Sequence, residues 1–289
     1  MPNTRPATIS LASLRDKRKM ANSKSLVDFG LFAGVKPGTN VPSLSKEAIG
    51  FKLYLGSTTG ELLVPDIASI KKEIRKRCPV ILNFSTGTIL DEVSDQVTYL
   101  RESRPEIAAL NMGTMNYAKY STSRKAFVFD MVFPNTYQKI ISLLTAMNDS
   151  GVKPELECFD TGHTHGIGPL LDMGVLRPPL QFSFILNVLG GLPPLVESLQ
   201  LQARLVPAGS EWEVIGISSC QWRMLATALV LGGNIRCGLE DNFYLPSGEM
   251  ARSNGDLVEV AARMTRDVGR KVASVDEARV ILGLTGTKP

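Results

Sequence analysis

The chain is poor in the residue types that build disulfide frameworks and metal centres. Its 289 residues include four cysteines, widely spaced and without a Cys-x-x-Cys pair, and two histidines. This spacing argues against a disulfide framework and an all-cysteine zinc site, and it is typical of a reducing compartment. Two histidines exclude any site that requires three. No apolar run reaches 18 residues, so the sequence predicts no membrane span.

Neither sign of charge predominates in the chain. The 32 basic residues barely exceed the 28 acidic ones, giving a net charge of +4, so we expect no nucleic-acid partner. The first 25 residues are the exception, because they contain six basic residues and only one acidic residue, Asp16. We interpret this segment as a solvated helix, the alternative being a transit peptide. No secretory apolar segment is present, and we expect a cytoplasmic protein.

Short apolar strands alternate with helical patterns along the chain. Eight segments rich in Val, Ile, Phe and Leu are predicted strands: 26–35, 50–55, 80–84, 107–112, 155–159, 181–188, 211–217 and 234–240. Apolar residues at helical spacing predict helices at 66–77, 137–150, 192–201, 224–231 and 256–268. Ser274 and Glu277 predict a capping box that begins a last helix.

Eight strands with intervening helices favour an α/β fold of the (β/α)₈ TIM-barrel class, as one barrel domain over residues 1–289. The alternative is an open doubly wound sheet. No Gly-x-Gly-x-x-Gly follows a first strand, so nothing indicates a dinucleotide domain. Residues 127–133 are interpreted as an extra extended segment outside the barrel.

Charged residues at the end of the last predicted strand give the strongest functional signal. In Asn-Ile-Arg-Cys-Gly-Leu-Glu-Asp-Asn, Arg236, Gly238 and Glu240 share one face if the strand continues. Glu240 is then a metal ligand or a base, and Arg236 binds a carboxylate or an oxyanion. The alternative is an Arg–Glu pair that only stabilises the barrel, since buried charges require partners.

Two histidines follow the predicted strand 155–159. His163 and His165 form a His-x-His at its end, and two histidines at this spacing in an extended segment can chelate one metal. The alternative is a glycine-flanked loop with solvated imidazoles.

Small polar residues end two other strands. Ser85 lies in Asn-Phe-Ser-Thr-Gly-Thr, and Asn111, Gly113 and Thr114 lie in Asn-Met-Gly-Thr-Met-Asn. Glycine lets a ligand approach the backbone, and the hydroxyls and amides can bind it. Plain turn chemistry is the alternative.

A lysine inside an apolar strand is unusual. Lys52 could be a desolvated base, a carboxylated metal ligand or the partner of an acid, or its ammonium could extend to the barrel mouth.

A family resemblance rests on six stretches between residues 66 and 284: VILNFSTG, IAALNMGTMN, KPELECFDTGH, LQFSFILNVLGGLPP, WEVIGIS and GNIRCGLEDNFYL. In these stretches the chain resembles the beta-keto acid cleavage enzyme family. The resemblance implies a zinc-dependent (β/α)₈ barrel that assembles as a homotetramer. It also implies a reaction of a small-molecule 3-keto acid with acetyl-CoA that yields acetoacetate and a new CoA thioester.

The same resemblance implies roles for particular residues. Zinc would bind at Glu240, while Arg236 and Asp241 would serve acid–base chemistry and carboxylate binding. Ser85 and the turn 111–114 would contact the substrate. The two zinc histidines that the family carries on its second strand have no counterpart there. We hypothesise that His163 and His165 form a substitute site with Glu240.

The first 65 residues resemble a different family. MPNTRPATISLASLRDKRKMANSKSLVDFGLFAGV and GFKLYLGSTTGELL are similar to an internal segment of dihydroorotases. The resemblance implies that Asn3 binds substrate and that Lys52 is a strand-end lysine of the kind that is carboxylated. The metal histidines of that family are absent. We therefore expect a hybrid barrel, with two strands from one family and six from the other.

Three functions remain open from the sequence. The first is metal-dependent cleavage of a 3-keto acid with acetyl-CoA. The others are a dihydroorotase-like cyclic amidohydrolase and a folded barrel without turnover.

Overall fold

The computed structural model describes residues 9–24, 32–34, 43, 50–52, 81–90 and 92–284. The chain divides into two compact units, Met1–Lys72 and Glu73–Pro289. Among the helices of these ranges, none is long and apolar enough to cross a membrane.

The first unit contains one helix and one pair of short strands. Helix α1 (Leu11–Lys24) begins after Ser10, whose Oγ accepts a hydrogen bond of 3.2 Å from the Ser13 N–H. The helix predicted for this basic segment is therefore confirmed. Strands β1 (Phe32–Gly34) and β2 (Gly50–Lys52) pair in parallel. They confirm the C-terminal part of the first predicted strand and the start of the second; the other residues of both predictions lie outside the described ranges.

A single parallel sheet forms the second unit. Its strand order is β3-β4-β7-β8-β9-β10, and every neighbouring pair is parallel. The bounds are β3 (Asn83–Ser85), β4 (Ile107–Asn111), β7 (Lys153–Cys158), β8 (Gln181–Leu186), β9 (Glu211–Gly216) and β10 (Asn234–Arg236). The predicted α/β barrel class is confirmed by this curled sheet. That β1 and β2 complete one eight-stranded barrel remains a prediction.

Helices connect these strands. They are α2 (Ser94–Ser103), α3 (Tyr137–Ser150), α4 (Thr161–His165), α5 (Gly168–Asp172), α6 (Val196–Leu205), α7 (Gln221–Val230), α8 (Asn254–Asp267) and α9 (Val275–Ile281). The prediction for α3 is confirmed at both ends, and α6, α7 and α8 lie within a few residues of theirs. The predicted capping box at Ser274 is present at the start of α9. The helix predicted at 66–77 lies outside the described residues.

The extra extended segment pairs in a sheet of its own. Strands β5 (Met115–Ser121) and β6 (Ala126–Phe133) form an antiparallel ribbon, separate from the parallel sheet. The prediction for residues 127–133 is therefore confirmed. The ribbon is inserted between the end of β4 and the start of α3.

The core lies between the parallel sheet and its helices. All six residues of β8 are buried, and Phe182 and Phe184 are fully inaccessible to solvent. Leu143, Leu144 and Met147 of α3 are also buried. Full burial of such side chains contributes about 1.5–3 kcal/mol each, so this layer is the principal source of stability in the second unit.

Leu144→Ala should destabilise the protein by about 2–5 kcal/mol, because it removes buried methyl groups and leaves a cavity. Leu201→Ala on the exposed side of α6 is the matched control and should change the free energy of unfolding by less than about 0.5 kcal/mol. Urea unfolding of both variants measures the difference. Equal losses would mean that α3 does not cover the core.

Candidate active site

Polar residues from six strands share one face of the parallel sheet. Side chains alternate along a strand, so residues paired in register point to the same face. The register aligns Ser85 with Ala109, Asn111 with Glu157, Glu157 with Ser183, Ser183 with Glu213, and Arg236 with Ile215. We call this face, opposite to Phe182 and Phe184, the inner face. It carries Ser85, Asn111, Glu155, Glu157, Ser183, Glu213 and Arg236.

Hydrogen bonds connect the carboxylates of the inner face. Asn83 Nδ2 donates to one oxygen of Glu155, and the Ser183 hydroxyl donates to the other. Ser183 Oγ also lies 2.8 Å from Glu213 Oε1. A hydroxyl carries one proton, so the second contact requires a proton on Glu213 when Ser183 donates to Glu155. The chain of contacts therefore favours a neutral Glu213.

Burial and mutual repulsion act in the same direction. Burial raises the pKa of Glu213 to about 8, and the nearby carboxylate of Glu155 adds to the shift. Burial likewise raises the pKa of Glu157 to about 7, again with a contribution from Glu155. Arg236 opposes both shifts. Near neutral pH the inner face therefore holds protons that carboxyl groups in water would release.

Arg236 is the cation that faces these carboxyl groups. Its Nη2 lies 3.1 Å from Glu240 Oε2 and 3.2 Å from Asp241 Oδ1. The Arg–Glu pair that was the alternative interpretation is therefore present, and Asp241 is a second partner of Arg236. The predicted strand face is wrong, because β10 ends at Arg236. The chain then turns, with the Asp241 N–H donating to the Gly238 carbonyl at 3.0 Å, and the Glu240 side chain is 76% exposed.

Asp241 is the buried member of this group. Its side chain is 4% exposed, and its Oδ2 has no hydrogen-bond partner among the described residues. Burial raises the pKa of Asp241, while the Arg236 guanidinium lowers it. A buried carboxylate oxygen without a hydrogen-bond partner reduces stability, and such groups in native proteins often have a catalytic or binding role. Asp241 is thus placed to accept a proton or to bind a ligand group.

Ser85 and Asn111 meet at Gly87. A Cβ atom at Gly87 would lie 3.3 Å from Asn111 Nδ2 and 3.5 Å from Ser85 Oγ. Asn111 is buried, and its Oδ1 has no partner among the described residues. Both predicted site residues therefore lie beside Gly87, and Asn111 Oδ1 is the unpartnered polar atom there that a ligand group could contact.

The two histidines do not form the predicted chelating pair. Asp160 caps helix α4 by accepting from the Gly162 N–H at 2.9 Å, so His163 and His165 lie on a helical turn instead of an extended segment. Residues two apart in a helix point about 200° from each other. His163 is buried and His165 is exposed. The expectation that both imidazoles face one metal is wrong.

His163 has a different position. Its Nδ1 accepts from the Phe159 N–H at 3.2 Å, and its ring also hydrogen-bonds to the Thr114 backbone. Burial lowers the pKa of His163, which favours the neutral imidazole. A Cβ at Gly113 would lie 2.3 Å from the His163 ring. The space that we predicted for a ligand at Gly113 is therefore filled by His163, and the Thr114 hydroxyl accepts from the Asn135 N–H at 2.9 Å.

The donor set of the described residues does not fit zinc. No group of three His, Cys, Asp or Glu side chains within the described ranges could hold a metal ion. His163 uses its ring in hydrogen bonds, His165 points away, and Glu240 contacts Arg236. Asn3 lies outside the described residues. Lys52 is the last residue of β2, and its side chain also lies outside them.

Several residues of the inner face, among them Glu155, Ser183 and Glu213, were not singled out from the sequence. Glu213 and Ser183 occupy alternate positions in WEVIGIS and LQFSFIL, where each interrupts an apolar strand. A polar residue that alternates with apolar residues along a strand lies on the face opposite to the apolar one, and this pattern could have predicted both residues.

A curled parallel α/β sheet with acid, amide and guanidinium groups on one face defines a protein of the (β/α) barrel class with a polar interior site. The model of the beta-keto acid cleavage enzyme family matches residues 59–284. The chain belongs to the beta-keto acid cleavage enzyme family.

Two relatives support this membership. The 3-keto-5-aminohexanoate cleavage enzyme of Fusobacterium nucleatum is 36% identical over 212 residues, which cover 73% of this chain and 74% of the relative. The 3-oxoadipate:acetyl-CoA acetyltransferase of Cupriavidus necator is 30% identical over 226 residues, covering 76% of this chain and 75% of the relative.

Two further comparisons cover smaller shares. A dihydroorotase of Methanosphaera stadtmanae is 41% identical over 64 residues, 22% of this chain and 15% of the relative. The apo structure of ObcA has a TM-score of 0.60 at 17% identity and supports the fold alone. The match covers 78% of this chain but 56% of ObcA, so the chain spans less than two thirds of that protein.

Glu213→Gln should reduce the pH dependence of stability. Because the pKa of Glu213 is raised to about 8, the folded protein holds a proton there between about pH 5 and pH 8 that the unfolded chain releases. Stability therefore falls as pH rises through this window, and the Gln variant should lose less. Urea midpoints at pH 5.5 and 8.5 measure it, with exposed Glu259→Gln as the control. The same loss in all three proteins would contradict a neutral Glu213.

Proposed function

We propose that the chain cleaves a 3-keto acid with acetyl-CoA, giving acetoacetate and a new acyl-CoA. Family membership supports the kind of reaction. The observation that carries the proposal is the buried Asp241 carboxylate, held by Arg236 and with one oxygen unpartnered. The name of the Cupriavidus relative, which includes acetyl-CoA, supports this co-substrate.

The chemistry of the substrate explains the need for a base. The C2 methylene of a 3-keto acid lies between a ketone and a carboxylate, so a positioned base can remove its proton. The C2 carbanion forms a bond to the acetyl carbonyl and expels CoA thiolate. The thiolate then attacks the C3 carbonyl, and the C2–C3 bond breaks. Acetoacetate leaves after C2 regains a proton, and the original acyl group leaves on CoA.

Arg236 and Asp241 can supply the charged groups for these steps. Asp241 accepts and returns the C2 proton, and burial, which raises the pKa of Asp241, makes its carboxylate a stronger base than one in water. Arg236 binds the substrate carboxylate or an oxyanion, since its planar guanidinium suits such groups. Glu240 keeps Arg236 in position through the 3.1 Å contact.

The other predicted residues contribute around this pair. Ser85 and Asn111 offer a hydroxyl and an unpartnered amide oxygen to the substrate. Gly113 and Thr114 act less directly, because His163 and Asn135 hold their turn. We assign His163 as a positioning residue for this turn.

Zinc is the part of the prediction that the described residues do not support. The imidazole of His163 is engaged in hydrogen bonds, and that of His165 lies on the opposite side of the helical turn.

Three further features remain proposals. We retain the homotetramer from the family resemblance, and the cytoplasmic location from the cysteine spacing and the lack of a secretory apolar segment. We also retain the hybrid barrel, which the 64-residue match to a dihydroorotase supports. A dihydroorotase-like activity has less support, because the match covers 15% of that relative.

Asp241→Asn should lower kcat by about 10²–10⁴, the usual contribution of a positioned acid–base group. Acetoacetate formed from acetyl-CoA and a panel of 3-keto acids is the measurement. Exposed Asp172→Asn is the matched control and should retain full activity. Unchanged turnover in Asp241→Asn would refute the assigned role. A folded wild-type protein that converts no 3-keto acid would refute the proposed function and favour a barrel without turnover.

His163→Asn should leave the zinc content of the purified protein unchanged, because both ring contacts of His163 are to the backbone. The melting temperature should fall, since the turn at Gly113 loses its support. Elemental analysis and thermal melting provide the two readings. One zinc per wild-type chain that disappears in the variant would restore His163 as a ligand.

A further inference from the structure

The ribbon of β5 and β6 exposes an apolar face. Tyr120, Phe127 and Val132 are 45%, 57% and 59% exposed, and the ladder places them on the same side. Tyr120 and Phe127 pack edge to face at 5.5 Å. We call this side of the ribbon, with Ala118 and Asp130, the outer ribbon face. An isolated two-stranded ribbon is marginal in water, so uncovered aromatic groups on it indicate a partner.

On the other side of the ribbon, aromatic rings pack against one another. Tyr117 lies 5.3 Å from Phe129 and 5.9 Å from Phe133 between ring centroids, and Met115 is buried. This side also carries Lys119, which is exposed, and Met131, which is 36% exposed, so it is less exposed than the outer ribbon face but not fully covered.

Pairing through the strand edge is disfavoured. The register shifts between Lys119 and Tyr120, so β6 carries an extra residue there. A bulge twists an edge strand and disrupts addition of another strand. The side chains of the outer ribbon face are consequently the surface that a partner can use.

We propose that the outer ribbon face packs against the same face of a second copy of this chain, related by a two-fold axis near Phe127 and Val128. A two-fold contact brings the same patch of both copies together, so an apolar centre covers itself. The proposal concerns a surface and does not depend on the function proposed above.

Charge complementarity selects a second copy. Asp130 is the one charged residue of β6, and Arg124 and Lys125 lie in the turn that precedes the strand. Within the described part of the chain, none of the three forms an ion pair. An antiparallel arrangement about residues 127 and 128 places Lys125 opposite the partner's Asp130, and this contact occurs twice.

The apolar area is substantial for a contact of this kind. Tyr120, Phe127, Val128, Val132 and the adjoining Leu189 are each about half exposed. Together they offer on the order of 500 Å² per copy, against about 800 Å² per partner in a standard interface. The ribbon therefore supplies the centre of an interface, with a polar rim from its turn.

The base of the ribbon contacts the candidate active site. The Asn135 N–H donates to Thr114 Oγ1, and Leu189 bridges to Ala118. A Cβ at Gly190 would lie 1.8 Å from the Asn116 carbonyl oxygen, so the loop after β8 packs directly on β5. Packing of two ribbons would therefore also restrain the Gly113–Thr114 turn.

Sedimentation of the full chain over a hundredfold range of concentration tests the proposal. The wild type should sediment as a dimer or a multiple of it, and Val132→Lys should shift it to the next smaller species. Val230→Lys introduces the same charge at an exposed site on α7 and should change nothing. Circular dichroism and thermal melting confirm that each variant is folded.

A charge reversal tests the pairing itself. Asp130→Lys should weaken the association, and the double variant Lys125→Asp with Asp130→Lys should restore it, because the contact then forms with reversed charges. A monomeric wild type, or a folded Val132→Lys protein that associates as the wild type does, would overturn the proposal. A monomer that sediments with phosphatidylserine vesicles would assign the outer ribbon face to a lipid surface and would overturn it as well.

Discussion

The candidate site depends on holding several carboxyl groups on one face of a parallel sheet whose other face packs against apolar side chains. Phe182 and Phe184 fix which face of β8 contacts the helices, and this leaves Ser183 on the inner face. Ser183 then connects Glu155 with Glu213. Three ionised carboxyl groups this close would repel one another, so each negative charge must be balanced by a cation or removed by a proton. Arg236 supplies part of the charge, and protons on Glu213 and Glu157 supply the rest. The pairing register of β7, β8 and β9 therefore determines both the packing of the core and the protonation of the site.

His163 shows how a buried imidazole can be structural at the end of a strand. Asp160 starts a short helix directly after β7, and this turns His163 toward Gly113. The ring fills the space above a glycine and contacts the backbone on both sides. The turn that carries Thr114 is thus supported from β7, while Asn135 supports it from the ribbon. Two separate elements hold the same turn, as expected where a loop must keep a fixed geometry at a site.

The repetitive features of the fold could be predicted from the sequence, and the local geometry of the site could not. Strand and helix periodicity located the parallel strands and α3, because burial on one face imposes a pattern that survives in a single sequence. The end of β10 at Arg236 was missed, since a turn closed by the Gly238 carbonyl leaves no periodic signal. His163 and His165 were misread for a similar reason: a side-chain cap at Asp160 outweighed the extended pattern before it. Glu213 and Ser183 were visible as polar residues in apolar strands, but their contact depends on register, which the sequence alone does not determine.

The resemblances to two families fall on different parts of the chain. The arginine, the buried aspartate and the inner-face carboxyl groups lie on the strands that match the beta-keto acid cleavage family, whose model matches residues 59–284. Proton transfer needs a positioned base with a suitable pKa, and we propose that Asp241, whose pKa burial raises, fills this role. A Lewis acid needs several donors converging on one point, and the described donors do not converge. Acid–base chemistry and metal binding therefore make separate demands on this chain, and the described residues suit the first better than the second.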